Sequence, residues 1–107
     1  MSEKQFFFVR LVAPRPSFMQ DMTESERAIM GEHGAYWGGQ LAAGNVIVFG
    51  PVADPKGAWG LGVLRVDDAA AVARFEADDP AVKSIPGMHY EVLPMVTAVF
   101  AQSLVAR

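Results

Sequence analysis

The sequence predicts one α+β domain of strand–helix–strand–strand–helix–strand order, with both helices on one face of an antiparallel sheet. Three observations predict it. Short β-rich apolar runs begin near residues 6, 46, 59 and 88, and they are interleaved with two segments of helical periodicity. Capping residues, prolines or glycines bound each run. The length, 107 residues, suits a single domain over 1–107, with a core at about 5–100 and a tail at 101–107 that reads as an interface arm.

The first run, Phe6 to Ala13 (FFFVRLVA), is almost wholly apolar, as a strand covered on both faces would be. Pro14 and Pro16 end it. The loop from Pro14 to Met22 carries Phe18, Met19 and Met22, so it folds back either over core or as a lid over a pocket. Thr23 and Glu26 form the S/T-x-x-E pattern of a capping box and open a helix that runs to about Ala43, with Gly44 and Asn45 as its stop. Ile29, Met30, Tyr36, Trp37 and Leu41 make its apolar stripe, and His33 falls in the middle of that stripe on a helical wheel. Gly31, Gly34, Gly38 and Gly39 weaken the helix by roughly 1 kcal/mol each relative to alanine, which points either to close approach by a neighbour or to fraying after Trp37.

Val46–Val52 and Trp59–Val66 read as two strands joined by the loop 53–58. Gly60 and Gly62 thin one face of the second, for packing or for a ligand. Asp67 or Asp68 caps a second helix with Ala71, Val72 and Phe75 inward, and that helix ends before Pro80, because a residue preceding proline is pushed out of the α region. Met88 to Leu93 is the last strand, broken at Pro94 and resuming over Met95 to Phe100. With right-handed crossovers this order gives a ferredoxin-like sandwich. The pairs Phe6/Phe8, Phe7/Val9, Val46/Val48 and Ile47/Phe49 put apolar residues on both sheet faces. The face without helices therefore needs a cover, and a sheet-to-sheet homodimer is the simplest.

Composition narrows the function. Hydrophobic residues make up 51% and charged residues 20%, the balance of a globular chain with some apolar surface to spare for an interface. A net charge of -3 with no basic run argues against nucleic acid. The absence of cysteine excludes disulfides, thiolate metal sites and cysteine nucleophiles. With no signal-peptide pattern and no apolar run of membrane-spanning length, the expectation is a cytoplasmic protein without a membrane partner.

Among residues that carry chemistry, His33 stands first. A histidine on an apolar stripe serves either as a satisfied core residue or as a catalyst. Buried among Ile29, Met30 and Trp37, its imidazole needs a hydrogen-bond partner, since an unpaired buried polar group costs roughly 1–3 kcal/mol. Asp78-Asp79-Pro80 ends the neighbouring helix on the same side of the sheet, where a carboxylate could hold one ring nitrogen and leave the other free as a proton acceptor. Arg10 alternates with Phe8 and Val12 and could enter a cleft to bind an anion, or reach solvent and pair with Glu91. His89 reads as a surface or interface residue. Metal binding is discounted for want of H-x-E or H-x3-H spacing, Gly57 to Gly62 matches no dinucleotide or phosphate loop, and Ser84 lacks a nucleophile elbow.

His33, the helix stop at Gly44, then Gly50-Pro51, Asp79-Pro80-Ala81-Val82, Gly87 and Tyr90-Glu91-Val92 occur in the order and spacing of the YCII-related family, including the seventeen-residue step from His33 to Gly50. The chain resembles that family from about Phe6 to Val99. The resemblance implies a ferredoxin-like, dimeric α+β-barrel fold and an active site built on a His-Asp pair, here His33 and Asp79. One branch of the family resembles a dehydrochlorinase of chlorinated hydroxyhydroquinones. The first expectation is then a cofactor-independent enzyme on a small cyclic or aromatic molecule, with His33 as general base and acid and Asp79 fixing its tautomer. Its pocket would lie between the first helix and the sheet, with Arg10, Tyr36, Trp37 and Phe18 contributing to it. The alternatives are a non-catalytic dimeric module in which the pair is structural, and, on fold analogy alone, a cofactor-free monooxygenase.

Overall fold

The computed structural model describes residues 3–101, so the expected arm lies outside the described residues except for Ala101. Four strands, β1 (Gln5–Val12), β2 (Val46–Val52), β3 (Trp59–Val66) and β4 (His89–Pro94), form a sheet in the order β2-β3-β1-β4. Every neighbouring pair is antiparallel, which is the ferredoxin-like arrangement. Met95 to Phe100 adds no strand; among the described residues one bond, from Met95 N to the Phe6 carbonyl, continues the pairing past Pro94.

The helices start and stop where side chains complete their backbone bonds. In α2 (Glu24–Ala42), Thr23 Oγ1 accepts from Glu26 N, and the Glu26 carboxylate accepts from Thr23 N, so the capping box is closed. Gly44, at φ +87°, ends the run in the left-handed region that a Cβ would disfavour. In α3 (Ala69–Asp78), Asp68 caps Ala71 N. Two short helices were not expected: α1 (Phe18–Asp21) inside the loop after β1, and α4 (Pro80–Ser84) directly after α3.

One apolar cluster fills the space between helices and sheet. It joins Phe7, Val9 and Leu11 of β1 and Leu64 of β3 to Trp37 of α2 and Phe75 of α3, among others. A β-bulge between Val46 and Val48 sets the facing of β2. Val46 pairs with Leu64 on the core side, Val48 with Val63 on the far side, and Phe49 with Gly62 back on the core side. The simple alternation expected for this strand is thereby corrected: the extra residue turns Val48 outward and sends Phe49 toward Trp37, with ring centroids 5.6 Å apart.

Two expectations for α2 need correction. Leu41 remains exposed, because at 100° per residue it lies about 80° from His33, at the margin of the stripe. A Cβ at Gly31, Gly34, Gly38 or Gly39 would meet nothing within 4 Å, so no close neighbour explains these glycines. The close approach occurs instead at Gly62, where a Cβ would come within 2.4 Å of the Trp37 ring. No described helix is long and apolar enough to cross a membrane.

Candidate active site

The site is assembled around Asp79, and local sequence explains its position. Because Pro80 follows, Asp79 cannot continue α3; it adopts φ -70°, ψ 122° and closes that helix. The same residue caps α4, its Oδ1 accepting from Ala81 N at 2.9 Å, with Pro80 in the first helical position, where no N–H is needed. The carboxylate so turned is 0% exposed.

Three side chains from two other elements converge on it. His33 Nδ1 lies 2.9 and 3.0 Å from the two carboxylate oxygens. Trp37, one turn further along α2, donates its Nε1–H to Oδ2 at 2.9 Å, and the Tyr90 hydroxyl of β4 donates to the same oxygen at 2.5 Å. Burial pushes the Asp79 carboxyl up, but the bonds from His33, Tyr90 and Trp37 outweigh it and hold the group below its ordinary value. Burial also raises the Tyr90 phenol, and the bond to Asp79 raises it further, so it remains a donor.

An ionised carboxylate accepts only, which fixes the tautomer of His33 by the network: Nδ1 carries the proton and Nε2 is the free acceptor. Among the described residues Nε2 has no hydrogen-bond partner, and it is not among the sealed polar atoms. The His33 side chain is 14% exposed and borders a cavity of about 330 Å³ between α2, the sheet and α1. Among the described residues His33 is the one titratable residue in its wall.

Phe18 and Trp37 line this cavity, together with Met19 and Met22. The loop after β1 thus covers the cavity, with Phe18 buried on α1. Arg15 ties this cover down: it bonds Asp21 at 2.8 Å and Glu26 at 2.7 Å, and its guanidinium sits 5.2 Å from the Phe18 ring centroid.

Arg10 and Tyr36 do not join the site. Arg10 lies on the opposite sheet face, since Val9 and Leu11 take the core side; its guanidinium lies 4.4 Å from the centroid of the Trp59 ring and 3.8 Å from Glu91. Tyr36 points to α3, where its hydroxyl donates to the Phe75 carbonyl at 3.0 Å, and burial followed by the charges of Asp78 and Asp79 pushes its phenol up to about 12. His89 is on the surface, with Nδ1 2.9 Å from the Gly87 carbonyl. Among the described residues no three His, Asp or Glu side chains come together as a metal site requires.

Sequence reasoning placed Trp37 in the pocket wall but overlooked its bond to Asp79, and it overlooked Tyr90 as a donor. The available signal was chemical: a buried Trp or Tyr carries one polar tip that must find a partner.

Against known proteins, the family model described as the YCII-related domain matches residues 6–96. No curated protein matches the chain.

Proposed function

The chain belongs to the YCII-related family, and from that premise we propose that it is a cofactor-independent enzyme acting on a small cyclic or aromatic molecule, with His33 as general base and acid. The observation that carries this is the oriented imidazole: Nδ1 is held by a buried carboxylate, and Nε2, without a partner among the described residues, belongs to the only titratable one of them in the wall of an apolar cavity. In an elimination or isomerisation, Nε2 takes a proton from a substrate carbon or hydroxyl. The electron pair left behind expels a leaving group or shifts to a neighbouring atom, and the imidazolium returns its proton to the leaving group or the rearranged product. In a hydrolysis, Nε2 would take the proton of the attacking water. Asp79 does not take the proton itself, because four donors already fill its acceptor positions. It stabilises the imidazolium by charge.

The test is His33→Gln and Asp79→Asn, assayed on a substrate found by screening cyclic and aromatic compounds, with folding followed by thermal melts. The expected loss in kcat is on the order of 10²–10⁴ for His33→Gln, the usual range for a general acid–base group. Turnover that survives both substitutions ends the proposal.

The same carboxylate also supports a structural role, because it fastens α2, α4 and β4 through side chains and backbone. On that alternative the chain is a non-catalytic ligand-binding or structural module, and the two variants lower the melting temperature with no activity to lose. In either case we propose a homodimer. The sheet face away from the helices presents Phe6, Phe8, Val63, Val48 (48% exposed) and Leu93 (63% exposed), an apolar surface suited to a second sheet. Light scattering after size exclusion should give twice the chain mass at micromolar concentration.

A further inference from the structure

The geometry points to an uncharged ligand of about two fused rings, offering a single hydrogen-bond donor or transferable proton to His33. Size comes first. An apolar cavity of about 150 Å³ holds benzene, and this one is about 330 Å³. The wall comes second. Met19, Met22, Met30 and Met88 place four thioethers around the space, and Phe18, Trp37 and Phe49 bring aromatic rings to it. Polarizable sulfur and ring edges favour a flat π-system.

Charge comes third. A buried anion needs a paired cation, and among the described residues no Lys or Arg lines this cavity. Arg15 is engaged by Asp21 and Glu26, and Arg10 lies across the sheet on Trp59. Among the described residues His33 is the one lining side chain with an uncommitted polar atom, and its Nδ1–H is already given to Asp79. What remains is an acceptor, Nε2, so the ligand supplies the proton and carries no carboxylate or phosphate. Depth is set at Gly34 and Gly50, which line the cavity and where a Cβ would meet nothing within 4 Å.

The proton-transfer half of this inference rests on His33 as a base; the choice of a neutral bicyclic shape does not. Calorimetry on the full chain at pH 8 would compare 2-naphthol, 2-methylnaphthalene and 2-naphthoate. We expect 2-naphthol to bind one per chain, 2-methylnaphthalene about tenfold more weakly for want of the donor, and 2-naphthoate at least about a hundredfold more weakly than 2-naphthol. Gly34→Leu should weaken 2-naphthol about tenfold or more by filling the cavity. Gly39→Leu, on the same helix but outside the cavity wall, should not. Gly34→Ala, with a smaller effect, serves if the leucine variant melts early. Equal binding of 2-naphthoate, no binding of any probe, or indifference to both Gly34 substitutions overturns the inference. Normal 2-naphthol binding alongside full turnover by His33→Gln would instead remove the catalytic proposal and leave this pocket standing.

Discussion

Tyr90→Phe deletes one oxygen and keeps the ring, which isolates the value of a single donor to the buried carboxylate. The Tyr90 hydroxyl bonds Asp79 Oδ2, whereas the Tyr36 hydroxyl bonds the neutral Phe75 carbonyl. A hydrogen bond to a charged group contributes roughly 1.5–3 kcal/mol and a neutral one roughly 0.5–1.5. Tyr90→Phe should therefore cost about 2 kcal/mol and Tyr36→Phe about 1. At about 4 °C per kcal/mol for a domain of this size, the shifts in Tm are about 8 and 4 °C. Urea denaturation at pH 7 with an unchanged m-value gives the free energies directly. In an Asp79→Asn background the charge is gone, and the cost of Tyr90→Phe should fall to that of a neutral bond, a coupling of about 1 kcal/mol. The sign with pH follows. Asp79 lies below its ordinary 3.8 in the fold, so its contribution is complete above that value and is lost as pH falls through the lower folded one. Without the Tyr90 donor the folded value rises, the loss comes at higher pH, and the gap between variant and wild type narrows below about pH 4. If Tyr90→Phe costs no more than Tyr36→Phe, or costs the same in the Asp79→Asn background, the charge-based reasoning fails.

Other outcomes test how the site is held. Gly62→Ala places a methyl against the Trp37 ring, so we expect about 3 kcal/mol of destabilisation and a changed near-ultraviolet spectrum. Gly34→Ala, in open space, should be neutral or up to about 1 kcal/mol stabilising, and equal stability of the two variants would refute the packing role of Gly62. Arg15→Ala should speed amide exchange over Phe18–Asp21 with little change in global melting, since Arg15 ties α1 to α2 through ion pairs that remain partly open to solvent. Glu26 is held at about 2, first by its bond from Arg15 and then by the Thr23 backbone. The tie is therefore complete above 4.5, the ordinary glutamate value, and is lost only as pH falls toward 2. Protection factors over α1 that fall near neutral pH, after correction for the intrinsic exchange rate, would contradict it.

The pairing of His33 with Asp79 was legible in part. Helical spacing put His33 on the inner stripe, and Pro80 fixed where α3 must end, so a carboxylate at that end was a reasonable partner; the family pattern chose Asp79. Neither Arg10 nor Tyr36 lines the cavity, for the same physical reason, and Arg10 lies instead near Glu91, the alternative its alternation had left open. An alternating strand or a helical stripe says which side chains share a face, but not what stands opposite that face. Arg10 shared its face with Trp59 and Glu91, and Tyr36 found the Phe75 carbonyl of α3 before it could reach the cavity.

By itself the sequence determined the strands, the two main helices and their order, because caps, prolines and periodicity act over a few residues. The Thr23–Glu26 box and the strands Val46–Val52 and Trp59–Val66 lie where local chemistry requires. Only the tertiary structure decided that Trp37 and Tyr90 join His33 on one carboxylate, that the bulge in β2 turns Phe49 inward, and that methionines close over the space beside His33. Those arrangements depend on residues tens of positions apart. Burial of Asp79 is bearable only when four donors arrive together, and which donors arrive is settled by how the helices pack on the sheet.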